Sequence, residues 1–292
     1  MDKYLTTKEL AELLRLKERK VYDMAAAGEV PCTRATGKLL FPRDAVDSWL
    51  AQHTEANGVA ALRQRPNVVL GSHDPLLEWA LRECRSNLAT YFDSSRDGLE
   101  RFNQSEGIAT GLHVYDADSQ DWNIEPVRET ADLFPVVLIE WAWRKRGLVV
   151  AEGNPLGIAS MADLKSRRVV PRQATAGSQI LLQKALADEG LGASNVKFAE
   201  PALSEADAAL AVLAGKADAA FGLSALAHQH RLDFVPIIDE RFDLLVDRRS
   251  YFEPPVQKLL SFAQSAAFQK KAEELGGYDI TNLGQVRLNS PR

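Results

Sequence analysis

Cysteine is scarce. Cys32 and Cys84 are the two cysteines in 292 residues, far apart and outside any CxxC spacing. That leaves no basis for a disulfide framework or a structural zinc site, and it suits a reducing compartment. Long apolar runs are missing too: none approaches the ~18 residues a membrane span requires. The opening stretch MDKYLTTKELAELL has no apolar segment of the secretory kind, so a soluble cytoplasmic protein without membrane contact is expected. GxSxG, HExxH, a Walker loop and a spaced Cys/His cluster are all lacking, and GNPLG lacks the spacing of a dinucleotide fingerprint. Ser72, His73 and Asp74 are adjacent, but neighbours at a strand end point different ways, and a catalytic triad is assembled by the fold. No enzymatic activity and no cofactor are expected.

Net charge is also small, at -5, yet it is unevenly spread. Residues 1–65 hold eleven Lys/Arg against nine Asp/Glu, and the remainder twenty-four against thirty-one. A near-basic N-terminal segment followed by an acidic body leaves room for local DNA binding while arguing against a general nucleic-acid binder.

What is present first is a compact pattern of helices over residues 5–50. Thr6-Thr7 precedes Leu10, Leu13 and Leu14 at helical spacing. A second helix starts at Glu18 and ends before Gly28. A hairpin turns at Ala35-Thr36-Gly37, and a third helix follows with Val46, Trp49 and Leu50 on one face. The order LTTKELAELL, KERKVYDMAAAGEVP, Gly-containing hairpin, FPRDAVDSWL resembles the MerR/excisionase-type winged helix-turn-helix. The resemblance implies that the second helix enters the major groove of double-stranded DNA and that the hairpin wing touches phosphates or the minor groove. Arg19, Lys20 and Tyr22 would face DNA, with Thr7 and Lys17 at the helix starts and Arg34 and Lys38 on the wing. Lys17 stands where that family usually has a Ser or Thr cap, and Glu18 would repel phosphate. Val21 and Trp49 are expected in the core.

Residues 52–66 read as a polar linker. Beyond it, strand-like and helical runs alternate, which means an α/β fold with a mainly parallel sheet. The fragments GSHDPLLEWAL, GLHVYD, GLVVAEGNPLGIASMADL, RQATAGSQILLQKAL and GKADAAFGL resemble the type II periplasmic-binding-protein-like domain of molybdate-binding proteins and LysR effector domains. The resemblance covers residues 67–281 and implies two α/β lobes: 67–148 with 246–281, and 150–240. It implies hinge strands near Gly147–Ala151 and Asp243–Asp247, and a short tail over 282–292. The winged domain would occupy residues 1–51.

In such a fold the ligand sits between the lobes, where loops and helix N-termini converge, an arrangement suited to anions. The matching positions are Ser72, His73 and Asp74, then Ser94, Ser95 and Arg96, then His113 and Tyr115, and Thr175, Gly177, Ser178 and Gln179. Each has a plainer role open to it: Asp74 as the cap of the helix starting at Pro75, His113 as a core histidine. Trp141 and Trp143 read as core. Gln179 replaces an arginine common in relatives, and Asp74 and Asp93 add negative charge. Molybdate, tungstate or another small anion, or an organic metabolite, are the expected effectors. A ligand-responsive, homodimeric transcriptional regulator is the function these resemblances imply. The alternatives are a molybdenum-cofactor accessory protein whose winged helix contacts a protein partner, and a recombination factor of the excisionase kind.

Overall fold

The computed structural model describes residues 3–34, 37–53, 65–132, 134–174 and 176–290. The chain forms two units, residues 1–64 and 65–292.

In the first unit, β1 (Tyr4–Thr6) leads into α1 (Thr7–Leu14), and α2 (Glu18–Ala26) follows. Strand β2 (Leu40–Pro42) pairs antiparallel with β1 and runs into α3 (Arg43–His53). Thr6 starts α1 through a reciprocal cap: its N–H donates to Glu9 Oε2 at 2.7 Å and its Oγ1 accepts from the Glu9 N–H at 3.3 Å. Arg15 closes α1 in the left-handed conformation. Leu5, Leu10, Ala11, Val21, Ala25, Val30, Phe41 and Val46 form one core, with Trp49 packed against it. The backbone bridge between Thr33 and Leu40 makes the base of the expected hairpin; its tip at 35–36 lies outside the described residues, as does most of the expected linker, 54–64.

The second unit begins with β3 (Val68–Gly71), α4 (Pro75–Glu83), β4 (Ala89–Phe92), α5 (Ser95–Asn103) and β5 (Ala109–Leu112). A small hairpin of β6 (Tyr115–Asp116) and β7 (Asp121–Trp122) and helix α6 (Ile124–Ala131) lead to the long strand β8 (Val136–Val150). Next come β9 (Arg168–Val170), α7 (Gly177–Asp188), β10 (Lys197–Phe198), α8 (Glu205–Leu213), β11 (Ala219–Leu223) and α9 (Ser224–Gln229). The return strand β12 (Asp233–Asp247) is followed by α10 (Arg248–Tyr251), α11 (Pro254–Ala263), α12 (Ala266–Leu275), β13 (Tyr278–Asp279) and β14 (Val286–Asn289).

One sheet runs β10-β9-β11-β8-β12-β5-β3-β4, with β13 and β14 added to β8. Its flanks are parallel, β5-β3-β4 on one side and β10-β9-β11 on the other. The centre is antiparallel, because β8 and β12 pair with each other over nearly their whole length. A mixed sheet therefore replaces the mainly parallel one expected.

The two central strands also correct the expected hinges. Each is a single 15-residue strand. Ile139, Trp141, Leu244 and Val246 pack in the lobe-one core, while Leu148 and Val150 pack on one face of lobe two and Val149 on the other. Leu148–Val150 thus lies in lobe two and Leu244–Val246 in lobe one. The crossing lies between them, at 143–147 and 236–241, where the pairing register shifts beside Pro236. The segment after 281 is not a tail: β14 pairs with β8, and Arg287 binds the buried Glu140. Arg65, expected in the linker, is buried in lobe one and donates to the carbonyl of Gly107 at 3.0 Å.

Candidate functional site

The loops after β3, β4 and β5 in lobe one face the loops after β9 and before α8 in lobe two. Between them lies a cavity of about 90 Å³, lined by Ser72, His73, Asp93, Ser94 and His113 from one lobe and by Arg172, Gly177, Ser178, Ser204 and Glu205 from the other. Close packing brings α5 to this place. A Cβ on Gly98 would lie 2.3 Å from the Cα of Gly71, so the helix sits directly on the end of β3.

Four helices begin at this cavity. Asp74 caps α4 by accepting from the Leu77 N–H at 2.7 Å, and Ser94 caps α5 by accepting from Asp97 at 3.2 Å. Ser204 caps α8 by accepting from Asp207 at 3.0 Å. Helix α7 has no side-chain cap, so its first N–H groups and the positive end of its dipole are left to whatever lies in front of them. Ser178, on its first turn, is 3% exposed and lines the cavity, and it has no hydrogen-bond partner among the described residues.

Arg172 completes the lobe-two wall. It donates through Nη1 to the carbonyl of Ala202 at 2.7 Å, its Nε has no partner, and it makes no ion pair among the described residues. Burial pulls its guanidinium below the usual value, with Glu205 opposing that pull. Asp93 and Glu205 share the cavity with Arg172, so the lining carries charge of both signs, with the guanidinium in no direct ion pair among the described residues.

Beneath the cavity the crossing strands carry a buried ionic lattice. Glu240 lies at the centre, 2.6 Å from Arg146 Nε and 3.0 Å from His113 Nδ1, and it also binds Arg144. Arg144 reaches Asp74 at 3.0 Å, and Arg146 reaches Glu205 at 2.8 Å. Tyr278 donates to Asp74 at 2.7 Å. Burial would raise the Glu240 carboxyl, but Arg146, His113 and Arg144 outweigh it and hold it well below its usual range. The lattice ties Asp74 and His113 of lobe one to Glu205 of lobe two through the shared strands.

The two units match known families. Residues 79–264 match the PBP superfamily domain, and residues 4–54 match a helix-turn-helix domain. The chain belongs to the PBP superfamily. The uncharacterized protein YvgK of Bacillus subtilis (strain 168) is similar at 27% identity, over 98% of each chain. Among solved structures, the periplasmic aliphatic sulphonate binding protein SsuA from Escherichia coli shares 18% identity at a TM-score of 0.44, covering 71% of this chain and 76% of its own. Peb3 from Campylobacter jejuni shares 13% at 0.46, covering 72% and 98%.

Ser72, His73, Ser94, His113, Gly177 and Ser178 come together at the cavity. Asp74 does not line it; it is fully buried as a helix cap and partner of Arg144. Ser95 bonds to Ser72 at 2.9 Å and accepts from the His113 N–H at 3.1 Å, supporting the wall from behind. Tyr115 stands in a neighbouring cavity. Thr175 lies outside the described residues. Gln179 also turns away, and its Oε1 accepts the backbone N–H of Arg172 at 2.7 Å. Ser72, His73 and Asp74 make no triad: Ser72 bonds to Ser95, His73 to Glu78 and Asp74 to Arg144.

Arg172, Ser204 and Glu205 were not among the expected site residues. Arg172 follows Pro171 just past a short strand, where a charge reads as a solvated loop residue. The signal available was its place at the end of β9, facing the start of the uncapped helix.

In the winged unit, Lys17, Arg19, Lys20, Arg34 and Lys38 are exposed, and none makes an ion pair among the described residues. Tyr22 is 52% exposed on the same helix that buries Val21. Thr7 differs from expectation: it is 7% exposed, packed at the first turn of α1, and so is not placed to contact DNA.

Proposed function

We propose that this chain is a cytoplasmic, homodimeric transcriptional regulator that binds double-stranded DNA through its winged helix and a small anion in the cleft between the two lobes. The observation that carries the ligand half is Arg172, a guanidinium without an ion-pair partner among the described residues, facing the uncapped N-terminus of α7 and Ser178 on its first turn. The Arg172 guanidinium and the free N–H groups at the start of α7 favour a negatively charged occupant, against the Asp93 and Glu205 carboxylates in the same lining. Its volume of about 90 Å³ is well below the roughly 300–1,000 Å³ typical of drug-sized sites, which suits an oxyanion or an anionic head group. Arg172 supplies the positive charge that Gln179 does not, and this keeps molybdate and tungstate among the fitting ligands.

The DNA half is supported by the exposed cations on α2 and the hairpin. Lys and Arg contacts to phosphate would supply affinity, and paired half-sites in a dimer would supply the base contacts one small domain lacks. The exposed free thiol of Cys32 suits a reducing compartment.

A thermal-shift screen of the purified chain against molybdate, tungstate, sulfate, phosphate and small carboxylates tests this. An anion at a hundred times its dissociation constant adds ~2.7 kcal/mol of stability, and Arg172→Gln should abolish the shift. An equal shift in Arg172→Gln would contradict the assignment of the cavity.

A further inference from the structure

Helix α8 (Glu205–Leu213) is apolar on all sides. After the acids of its first turn, every residue from Ala208 to Ala214 is apolar. Its inner face, Ala208, Ala209 and Val212, packs with Val170 and Ala220 in the core of lobe two. Its outer face carries Leu210 and Leu213, neighbours at i, i+3 spacing, which are 42% and 54% exposed. A helix that is apolar all round is normally covered on every side, and the outer side of α8 has no cover among the described residues.

The charges at the two ends of that side point to what covers it. Asp207 stands in the first turn of α8 and Lys216 just past its last, and both are exposed. Asp207, Leu210, Leu213 and Lys216 follow one another every third residue, so the row reads acid, leucine, leucine, base. Turned end for end, the row is its own complement. Leu210 meets Leu213 of the opposed helix, and Asp207 meets Lys216 on the flank. Opposed helices also set the positive end of each dipole beside the negative end of the other. No foreign chemistry is needed to match this side of the molecule.

Resting on the proposed homodimer, we infer that the outer side of α8 docks on α8 of a second copy of this chain, antiparallel about a two-fold axis that passes between Leu210 and Leu213. A closed two-fold contact requires a self-complementary surface of this kind. Two helices of nine residues lie at the low end of interface sizes, so the contact belongs to the weak, reversible class. Ser204 and Glu205, at the start of the same helix, line the anion cavity. The ligand site and the contact are therefore carried by one element.

The test is sedimentation of the full chain over a concentration series, beside Leu213→Ser, Lys216→Glu, Asp207→Lys and an equal mixture of the last two. The wild type should pass from monomer to dimer as the concentration rises. Each single variant should raise the dimer dissociation constant by about ten-fold or more, as loss of an interface anchor does. Mixing Lys216→Glu with Asp207→Lys places opposite charges at both ends again and should restore dimers, which a folding defect would not do. Ser204 Oγ accepts from the backbone N–H of Asp207 at 3.0 Å, so that cap survives Asp207→Lys. Leu213 is 54% exposed, so Leu213→Ser keeps the fold, and an unchanged circular dichroism spectrum checks it. Dimers unaffected by Leu213→Ser and Lys216→Glu would overturn the inference and leave a homodimer built on another surface. A mixture no better than either of its members would overturn the antiparallel arrangement, and the inference with it. A chain that stays monomeric throughout the series would overturn the inference and the homodimer together.

Discussion

The side chain of Gln179 accepts the backbone N–H of Arg172 at 2.7 Å. This pins the end of β9 to the first turn of α7 and fixes where the Arg172 guanidinium emerges. Gln179→Leu keeps the volume of the residue and deletes that acceptor. Leaving a buried N–H unpaired costs about 1–3 kcal/mol, and the freed strand end should weaken anion binding several-fold without removing any group from the cavity. Titration of the variant beside Arg172→Gln checks this: partial loss is expected for the first and near-complete loss for the second.

Gly98 and Gly71 form the second positional control. A Cβ at Gly98 has nowhere to go, being 2.3 Å from the Cα of Gly71 and 2.4 Å from Thr110 Oγ1. Gly98→Ala should destabilise the domain by about 1–3 kcal/mol, the range for overpacking. It should also lower anion affinity, because α5 must move and carries Ser94 and Ser95 with it. Chemical denaturation and titration on one preparation would read both.

Glu240 balances two buried arginines. Glu240→Gln leaves Arg144 and Arg146 short of charge compensation in the protein interior and should cost about 3–5 kcal/mol. The wild-type carboxyl is held well below its ordinary 4.5. Its contribution to stability is therefore complete above pH 4.5 and is lost as the pH falls through the lower folded value. Stability measured against pH in the acid range should lose that steep limb in the variant.

Asp243 has the opposite sign. Burial, opposed by Arg241 and Asn123, raises its carboxyl from 3.8 to about 6. The folded state then holds a proton that the unfolded state has released, so this group favours folding most below pH 3.8. That advantage declines as the pH rises to about 6 and is constant above it. Asp243→Asn should flatten this window in a stability–pH curve; a curve unchanged between these values would contradict the assignment.

Much of the fold was legible because apolar periodicity survives wherever one face is buried. Val21 at the core of α2 and the alternating Leu148, Val149 and Val150 are examples, the last three packing alternately on the two faces of lobe two. The middle of β8 was not legible. Trp143-Arg144-Lys145-Arg146-Gly147 resembles a charged turn, and strand pattern there would demand apolar residues. The two arginines are buried because Glu240, Asp74 and Glu205 arrive from distant parts of the chain to pair with them, and no local pattern announces such partners. Arg172 was missed because a charge just after Pro171 at the end of a short strand reads as a solvated loop residue. Gln179 was placed correctly at the start of α7 but with the wrong direction, since sequence spacing gives a position and not a rotamer.

Regulation requires that the cleft and the winged helix influence one another. Arg19 and Lys20 are exposed on α2, so replacing both with Ala should leave the fold intact and weaken DNA binding. It should also reduce the salt dependence of binding, by about one unit of slope for each phosphate that is no longer neutralised. Anisotropy titrations at several salt concentrations would show it.

The most direct measurement is the affinity of the full chain for DNA from upstream of its own coding region, with and without a saturating anion identified by titration. Coupling between sites is typically worth about 5–150-fold in affinity. The account predicts a change of that size in the wild type and none in Arg172→Gln. DNA affinity that is the same with the anion bound and absent would contradict it.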